Sequence, residues 1–146
     1  MRAGAAPYRT RPLGGIIGID LHYTASSPGV SVEAIARYQA GANAQEAFPA
    51  IAYTYVVTAD GVIHWCHDLA VRCWHNGAPG ANTRKVGICY TGNVEPNSAQ
   101  LRALQWLNRD LMARLESSIW LVDGHKDSSP TGCPGPEWPT WKAAIL

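Results

Sequence analysis

One β-branched run near the N-terminus constrains the fold more than any other feature of the sequence. Ile16, Ile17, Ile19 and Leu21 lie within six residues and would point to both faces of a strand. Strands that are apolar on both faces lie inside a sheet that is covered on both sides. The run therefore predicts a central strand, which ends at His22.

A hairpin is predicted in the middle of the chain. Residues 51–58 are rich in Tyr and Val, and the turn-forming residues 59–61 separate them from a second short strand at 62–65. Because side chains alternate along a strand, one face of the first strand should carry three residues. These are Tyr53, Tyr55 and Val57.

Three helices are predicted from capping residues and apolar spacing. Ser31 can cap a helix whose buried side carries Val32, Ile35, Ala36 and Gln39. Asn97 and Gln100 are spaced as a capping box, and a long leucine stripe follows them. The stripe consists of Leu101, Leu104, Leu107, Leu111 and Leu115. A final helical turn is expected around Trp138 and Trp141.

The order of these elements predicts an α/β fold. Further strands at 86–90 and 119–122 alternate with the helices, and the hairpin interrupts the alternation. This order is typical of a mixed central β-sheet flanked by helices. The length of 146 residues fits one domain, which we place at residues 15–146. Residues 1–14 contain Pro7 and Pro12 and are expected to form an extended N-terminal arm that becomes ordered only by docking.

Composition and charge exclude several classes of protein. Twelve Lys and Arg balance eleven Asp and Glu, a net charge of +1 that is too small for a nucleic-acid-binding surface. The first residues lack the apolar core of a secretion signal, and no apolar stretch approaches the ~20 residues that span a bilayer. We therefore expect a monomer with no nucleic-acid or membrane partner and no signal peptide.

The sequence contains a candidate metal site. His22 and His125 each follow an apolar strand, so the two imidazoles could meet at one edge of the sheet. Pro130 and Gly132 allow the next loop to bring Cys133 back to them. Two nitrogens and one sulfur match a catalytic zinc whose fourth position stays open for water. Taken singly, each histidine also fits a packed side chain, and Cys133 a small buried apolar residue.

A second group of soft ligands competes with this interpretation. It comprises His64, Cys66, His67, Cys73 and His75. Alternation along the hairpin would send neighbouring ligands to opposite faces, which argues against a shared ion. Cys66 and Cys73 could instead form a disulfide, and free thiols are the simplest interpretation.

Four separated segments resemble the type-2 N-acetylmuramoyl-L-alanine amidases, a family that includes amidase-type phage lysozymes and animal peptidoglycan recognition proteins. The segments read LHYTAS from residue 21, AYTY from 52 with ADG from 59, VGICYTGN from 86, and HKDSSPTGC from 125. They occur in the family's order within residues 16–142. The resemblance implies the same mixed sheet and a zinc-dependent hydrolytic activity.

The resemblance also implies roles for individual residues. His22, His125 and Cys133 match the family's ligands for one Zn²⁺ ion. Tyr53 matches a tyrosine that hydrogen-bonds near the reacting carbonyl. Thr131 occupies a position that is lysine in many phage enzymes and threonine in catalytic recognition proteins, so its hydroxyl would assist the oxyanion without adding positive charge.

Three neighbouring residues are expected to contact substrate. His75 matches a histidine that lines the substrate groove of the family, and transfer of a proton to the leaving amine is a second role open to it. Asn76 can hydrogen-bond sugar or peptide amides, and Trp74 offers a flat apolar face to a sugar ring.

The resemblance thus implies hydrolysis of the amide between N-acetylmuramic acid and L-alanine in bacterial peptidoglycan. The alternative is a recognition module that binds the peptidoglycan stem without cleaving it. Without a signal peptide, the chain fits a small phage endolysin that is made in the host cytoplasm and acts on the cell wall.

Overall fold

The computed structural model describes residues 6–41 and 48–146, and it contains a five-stranded sheet in the order β3-β2-β4-β1-β5. The strands are β1 (Gly18–Tyr23), β2 (Tyr55–Val57), β3 (Ile63–Trp65), β4 (Lys85–Tyr90) and β5 (Leu121–Gly124). β1 is parallel to both of its neighbours, β4 and β5, and β2 is parallel to β4. Only the β2 and β3 pair of this sheet is antiparallel. The predicted mixed sheet is confirmed.

Two of the four described helices begin directly after their predicted capping residues, Ser31 and Asn97, and the short helix at 81–84 was not predicted. The helices are α1 (Val32–Ala40), α2 (Ala81–Arg84), α3 (Ser98–Leu115) and α4 (Trp138–Ile145), with short 3₁₀ turns at Leu13–Gly15 and His125–Asp127. Ser31 accepts a hydrogen bond from the backbone of Ala34, and Asn97 with Gln100 forms the predicted capping box. α4 spans two turns, whereas Trp138 and Trp141 predicted a single turn.

Helices cover both faces of the sheet. On one face, Leu104, Leu107 and Leu111 of α3 pack with the α4 tryptophans in the larger apolar core. On the other face, Ile35 of α1 belongs to a smaller core that includes Val56. β1 is therefore the interior strand that the apolar run predicted.

The two faces of β1 nevertheless differ in chemistry. Ile19 and Leu21 belong to the larger core, whereas the alternate residues Asp20 and His22 are buried polar side chains. The expectation of an apolar strand on both faces is corrected at this point. The second face of β1 is polar because it forms the floor of the candidate site.

The hairpin begins later than predicted. Its first strand is β2, so residues 51–54 precede the ladder, and regular alternation does not extend back to Tyr53. Tyr55 therefore packs in the larger core, whereas Tyr53 packs against the smaller core on the opposite face. The prediction that these tyrosines share a face is wrong for this reason.

β5 also begins two residues later than its apolar run predicted. Ile119 is exposed rather than paired, and the strand ends at Gly124. This shift places His125 directly after the last strand of the sheet.

The N-terminal segment docks onto the body. The Tyr8 hydroxyl donates to the Ala50 carbonyl at 2.8 Å, and Thr10 forms an isolated bridge with Val71. Arg11 is buried, and its guanidinium donates to three backbone carbonyls, those of Leu69, Asn82 and Lys85. None of the helices within residues 6–41 and 48–146 has the length and apolar character that a bilayer crossing requires.

Candidate metal centre

Two histidines meet at the C-terminal edge of the sheet because their strands are neighbours. β1 and β5 run parallel and pair Leu21 with Gly124, so the next residues, His22 within β1 and His125 directly after β5, lie side by side. Their ring centroids are 4.6 Å apart. The two imidazoles thus converge at one sheet edge, as their positions in the sequence predicted.

Cys133 joins them from the following loop. The backbone N–H of Lys126 donates to the Cys133 carbonyl at 2.8 Å, which folds the loop back on itself. The Cys133 Sγ is then 3.8 Å from Nδ1 of His22 and accepts a hydrogen bond from the backbone N–H of Tyr23 at 3.4 Å. The candidate ligand atoms of the three residues lie within 4.8 Å of one another, which suits a single ion.

Burial alters the pKa of each candidate ligand. It lowers the pKa of the His22 imidazole well below its usual value and also lowers that of His125. Both rings are therefore neutral near pH 7 and keep a lone pair for a metal. Burial raises the pKa of the Cys133 thiol to about 11. A divalent cation would therefore bind with release of the thiol proton.

Tyr53 lies beside this cluster. Its ring centroid is 5.3 Å from that of His22. Burial, reinforced by the neighbouring thiols of Cys89 and Cys133, raises the pKa of the Tyr53 hydroxyl well above its usual value. The hydroxyl keeps its hydrogen at neutral pH and can donate it.

Thr131 lies in the loop that carries Cys133. Its hydroxyl oxygen accepts a hydrogen bond from the backbone N–H of Cys133 at 3.3 Å. The nearby Lys126 ammonium donates to the Gly135 carbonyl at 3.3 Å. Both side chains thus support the loop geometry, and the Thr131 hydroxyl retains a hydrogen to donate.

A groove opens next to the cluster. One cavity of about 490 Å³ lies beside His125, and a second of about 560 Å³ lies beside α1. Their shared wall consists of Tyr38, Gln39 and Tyr53. Trp74, which is 42% exposed, lines the first cavity, and the rings of Tyr8 and Phe48 pack against it.

His75 borders the same cavity, but its ring points inward. Its side chain is only 1% exposed, and Nδ1 is 3.1 Å from Nε2 of His22. Nε2 of His75 is 3.3 Å from the Lys85 carbonyl. Both ring nitrogens therefore have partners within the protein, and contact of this imidazole with substrate, or proton transfer by it, stays a prediction.

Asn76 also lines this cavity, and its predicted contact with substrate stays a prediction. Its amide donates to Asp20 at 2.6 Å and to Ser128 at 2.8 Å, and its carbonyl oxygen accepts from Ala78 and Ser129. An asparagine side chain has two donor hydrogens and two acceptor positions. All four are used, so Asn76 ties β1 to the loop that follows His125.

The competing soft-ligand cluster does not assemble in the described part of the chain. His64 hydrogen-bonds to Thr58, and His67 to the Ile51 carbonyl. All four cysteines lie within the described residues and are free thiols. The simplest interpretation of the cysteines is therefore confirmed.

Asp20 is the functional candidate that the sequence interpretation missed. Its side chain is fully buried, and Oδ2 lies 3.4 Å from Nδ1 of His75 and 3.7 Å from Nε2 of His22. Burial by itself raises the pKa of this carboxyl, but His75, His22 and Asn76 outweigh burial and lower it to about 2. A charged residue inside an apolar strand was the available signal, because a buried carboxylate requires partners.

One match decides the family of the chain. The model of a family described as N-acetylmuramoyl-L-alanine amidase matches residues 12–136. The chain belongs to this amidase family. The matched range contains all three candidate ligands, Tyr53 and the groove residues, so the resemblance drawn from the four segments is confirmed.

Relatives of the chain include animal recognition proteins and an endolysin. A peptidoglycan-recognition protein of Drosophila melanogaster is 27% identical over an alignment of 138 residues. The match covers 85% of this chain and 75% of the relative. Among solved structures, the endolysin N-acetylmuramoyl-L-alanine amidase LysCS from Clostridium intestinale has a TM-score of 0.73 at 21% identity. The match covers 100% of this chain and 95% of that one.

A third relative was solved with a cell-wall fragment. Human PGRP-Iβ C, in complex with a glycosamyl muramyl pentapeptide, has a TM-score of 0.71 at 24% identity. The match covers 91% of this chain and 85% of that one. These two structural matches establish the shared fold.

Proposed function

We propose that the chain hydrolyses the amide between N-acetylmuramic acid and L-alanine in bacterial peptidoglycan, with one Zn²⁺ ion as cofactor. The observation that carries this proposal is the cluster of His22, His125 and Cys133, in which His125 lines an open groove. The description of the matching family as N-acetylmuramoyl-L-alanine amidase supports the choice of bond.

The donor set fits zinc. Imidazole nitrogen and thiolate sulfur are ligands that Zn²⁺ prefers, and three protein ligands leave a fourth position open. Two neutral imidazoles and one thiol would require the loss of a single proton on binding. When bound, Zn²⁺ polarises a carbonyl and lowers the pKa of water at its open position to about 7.

The chain's own residues complete the chemistry. Tyr53 would donate its hydroxyl hydrogen to the carbonyl oxygen of the scissile amide as negative charge develops there. Burial keeps that hydrogen in place near pH 7. Thr131 would make the same kind of contact from the Cys133 loop. Neither side chain carries positive charge, so stabilisation of the oxyanion depends on the metal more than in relatives with lysine at this position.

Trp74 is the proposed contact for the sugar or the stem peptide. Its exposed ring forms one wall of the cavity beside His125, and Tyr8 and Phe48 hold it in place. The groove continues past Tyr53 to the cavity beside α1, which gives room on both sides of the scissile bond. The muramyl pentapeptide in the complex of the human relative supports a cell-wall fragment as the ligand.

The proposal is tested with purified peptidoglycan. We expect the zinc-loaded protein to release L-alanine amino groups without forming new reducing sugar ends, and Cys133→Ala to lose both the zinc and the activity. Cys66→Ala is the matched control, because Cys66 lies outside the cluster. Full activity after verified metal removal would refute the zinc mechanism, and new reducing ends would refute the amidase.

The second candidate is a recognition module that binds the stem peptide without cleaving it. It is favoured by the recognition proteins among the relatives. Such a module would sediment with the cell wall but release no amino groups. We favour the amidase, acting as a phage endolysin on the cell wall, because all three ligands and Tyr53 are present at one site.

A further inference from the structure

His75 lies directly behind the candidate ligand His22. Nε2 of His22 is 3.1 Å from Nδ1 of His75, and the two rings meet edge to face with centroids 5.2 Å apart. Gly87 allows this packing, because a Cβ there would lie 2.5 Å from the His75 ring. His75 is therefore locked against the sheet with little freedom to rotate.

The hydrogen-bond pattern assigns a tautomer to each ring. The Lys85 carbonyl can only accept, so Nε2 of His75, at 3.3 Å, carries the donated hydrogen. In a neutral ring, Nδ1 is then an acceptor, and Nε2 of His22 donates to it. This leaves Nδ1 of His22 as a lone pair directed toward Cys133, whose sulfur is 3.8 Å away.

Asp20 adds charge to the same arrangement. Its Oδ2 lies 3.4 Å from Nδ1 of His75 and 3.7 Å from Nε2 of His22, so its charge favours a hydrogen in the contact between these two nitrogens. Asn76 holds this oxygen in place by donating to it at 2.6 Å. Because the hydrogen of His75 is donated to the Lys85 carbonyl, the hydrogen in this contact belongs to Nε2 of His22.

We propose that His75 and Asp20 are positioning residues that orient His22 and fix its Nδ1 as the metal-binding nitrogen. The inference rests on the proposed metal site but concerns neither substrate nor turnover. Partners behind a ligating histidine commonly change metal affinity by about 10–100-fold. The inference thus assigns His75 a role behind the metal centre.

The first test is long-range ¹H–¹⁵N NMR of the full chain, with and without Zn²⁺. We expect wild-type His22 to carry hydrogen on Nε2 in both states. His75→Leu should produce a mixture of His22 tautomers in the metal-free protein and weaken Zn²⁺ binding about 10–100-fold in chelator competition. His75→Asn, whose amide oxygen can accept near the Nδ1 position, should recover part of the affinity.

His64→Leu is the matched control, because His64 lies on β3 and its ring is hydrogen-bonded to Thr58, and the change should alter neither the tautomer nor the affinity. Asp20→Asn keeps an oxygen for Asn76 but removes the charge, and it should weaken Zn²⁺ binding about tenfold. Unchanged affinity in His75→Leu and Asp20→Asn, or hydrogen on Nδ1 of wild-type His22, would overturn the inference.

These measurements need no substrate. A protein that lacks amidase activity but shows the expected His22 tautomer would therefore refute the proposed function and leave this inference intact. An active amidase with hydrogen on Nδ1 of metal-free His22 would refute this inference and leave the proposed function intact.

Discussion

Different interactions stabilise the two faces of β1. On one face, Ile19 and Leu21 pack against α3 and α4, where many weak apolar contacts share the stabilisation. On the other face, Asp20 and His22 depend on a few hydrogen bonds with defined partners. The first face tolerates replacement by other apolar residues, whereas the second loses its geometry when one partner is removed.

The contrast between these faces shows how one short strand serves both stability and chemistry. Side chains alternate, so each residue that anchors the sheet is followed by one that belongs to the site. A rigid apolar face keeps the polar face in register. Changes on the apolar face should therefore affect unfolding, and changes on the polar face should affect metal binding.

The largest expected effect on stability lies on the apolar face. Leu107→Ala removes a side chain that is 1% exposed in the larger core, and it should lower the free energy of unfolding by about 2–5 kcal/mol. Denaturant unfolding measures this loss. The folded fraction should bind Zn²⁺ with unchanged affinity. A large change in that affinity would show that the apolar face also controls metal binding.

Gly87→Ala should affect both properties because it lies under His75. The new Cβ would come within 2.5 Å of the imidazole and force the ring to move. We expect a loss of about 1–3 kcal/mol in stability together with weaker Zn²⁺ binding. Gly77→Ala, where no atom lies within 4 Å of the added Cβ, is the control. Equal behaviour of the two variants would contradict the packing described here.

The pH dependence of Zn²⁺ binding tests the candidate ligands on the polar side of β1. The thiol of Cys133, with its pKa raised to about 11, must lose a proton, whereas the pKa values of both histidines are lowered, so these rings are already neutral. Zn²⁺ affinity should therefore rise about tenfold per pH unit between pH 7 and pH 8. Competition with a chelator of known pH dependence measures the slope, and a flat profile would contradict thiolate ligation.

The smallest expected effect comes from the cap of α3. Asn97→Ala breaks the capping box and should cost about 1 kcal/mol of stability. α3 packs on the apolar face of β1 and the candidate site lies on the polar face, so Zn²⁺ affinity should not change. Thermal unfolding and chelator competition on the same sample test both parts of the prediction.

Much of the fold could be predicted from the sequence because local signals agreed with it. The leucine stripe and the Asn97 box defined α3, and the run before His22 defined β1. The start of β2 and the side on which Tyr53 lies could not be predicted, because both depend on where strand pairing begins. That point is set by contacts with β4, which are distant in the sequence.

The candidate site was predictable to a similar degree. His22, His125 and Cys133 were found through motifs with a resemblance to known amidases, and the parallel pairing of β1 with β5 explains why two of them meet. The inward direction of His75 and Asn76 could not be predicted. Both lie in a loop, where no periodic pattern states which way a side chain points.

The most direct test of the account is an X-ray structure of the zinc-loaded protein with anomalous data collected at the zinc edge. We predict one anomalous peak at about 2.0–2.3 Å from Nδ1 of His22, a ring nitrogen of His125 and Sγ of Cys133. A peak among Asp20, His22 and His75, or no peak in a fully folded protein, would contradict it.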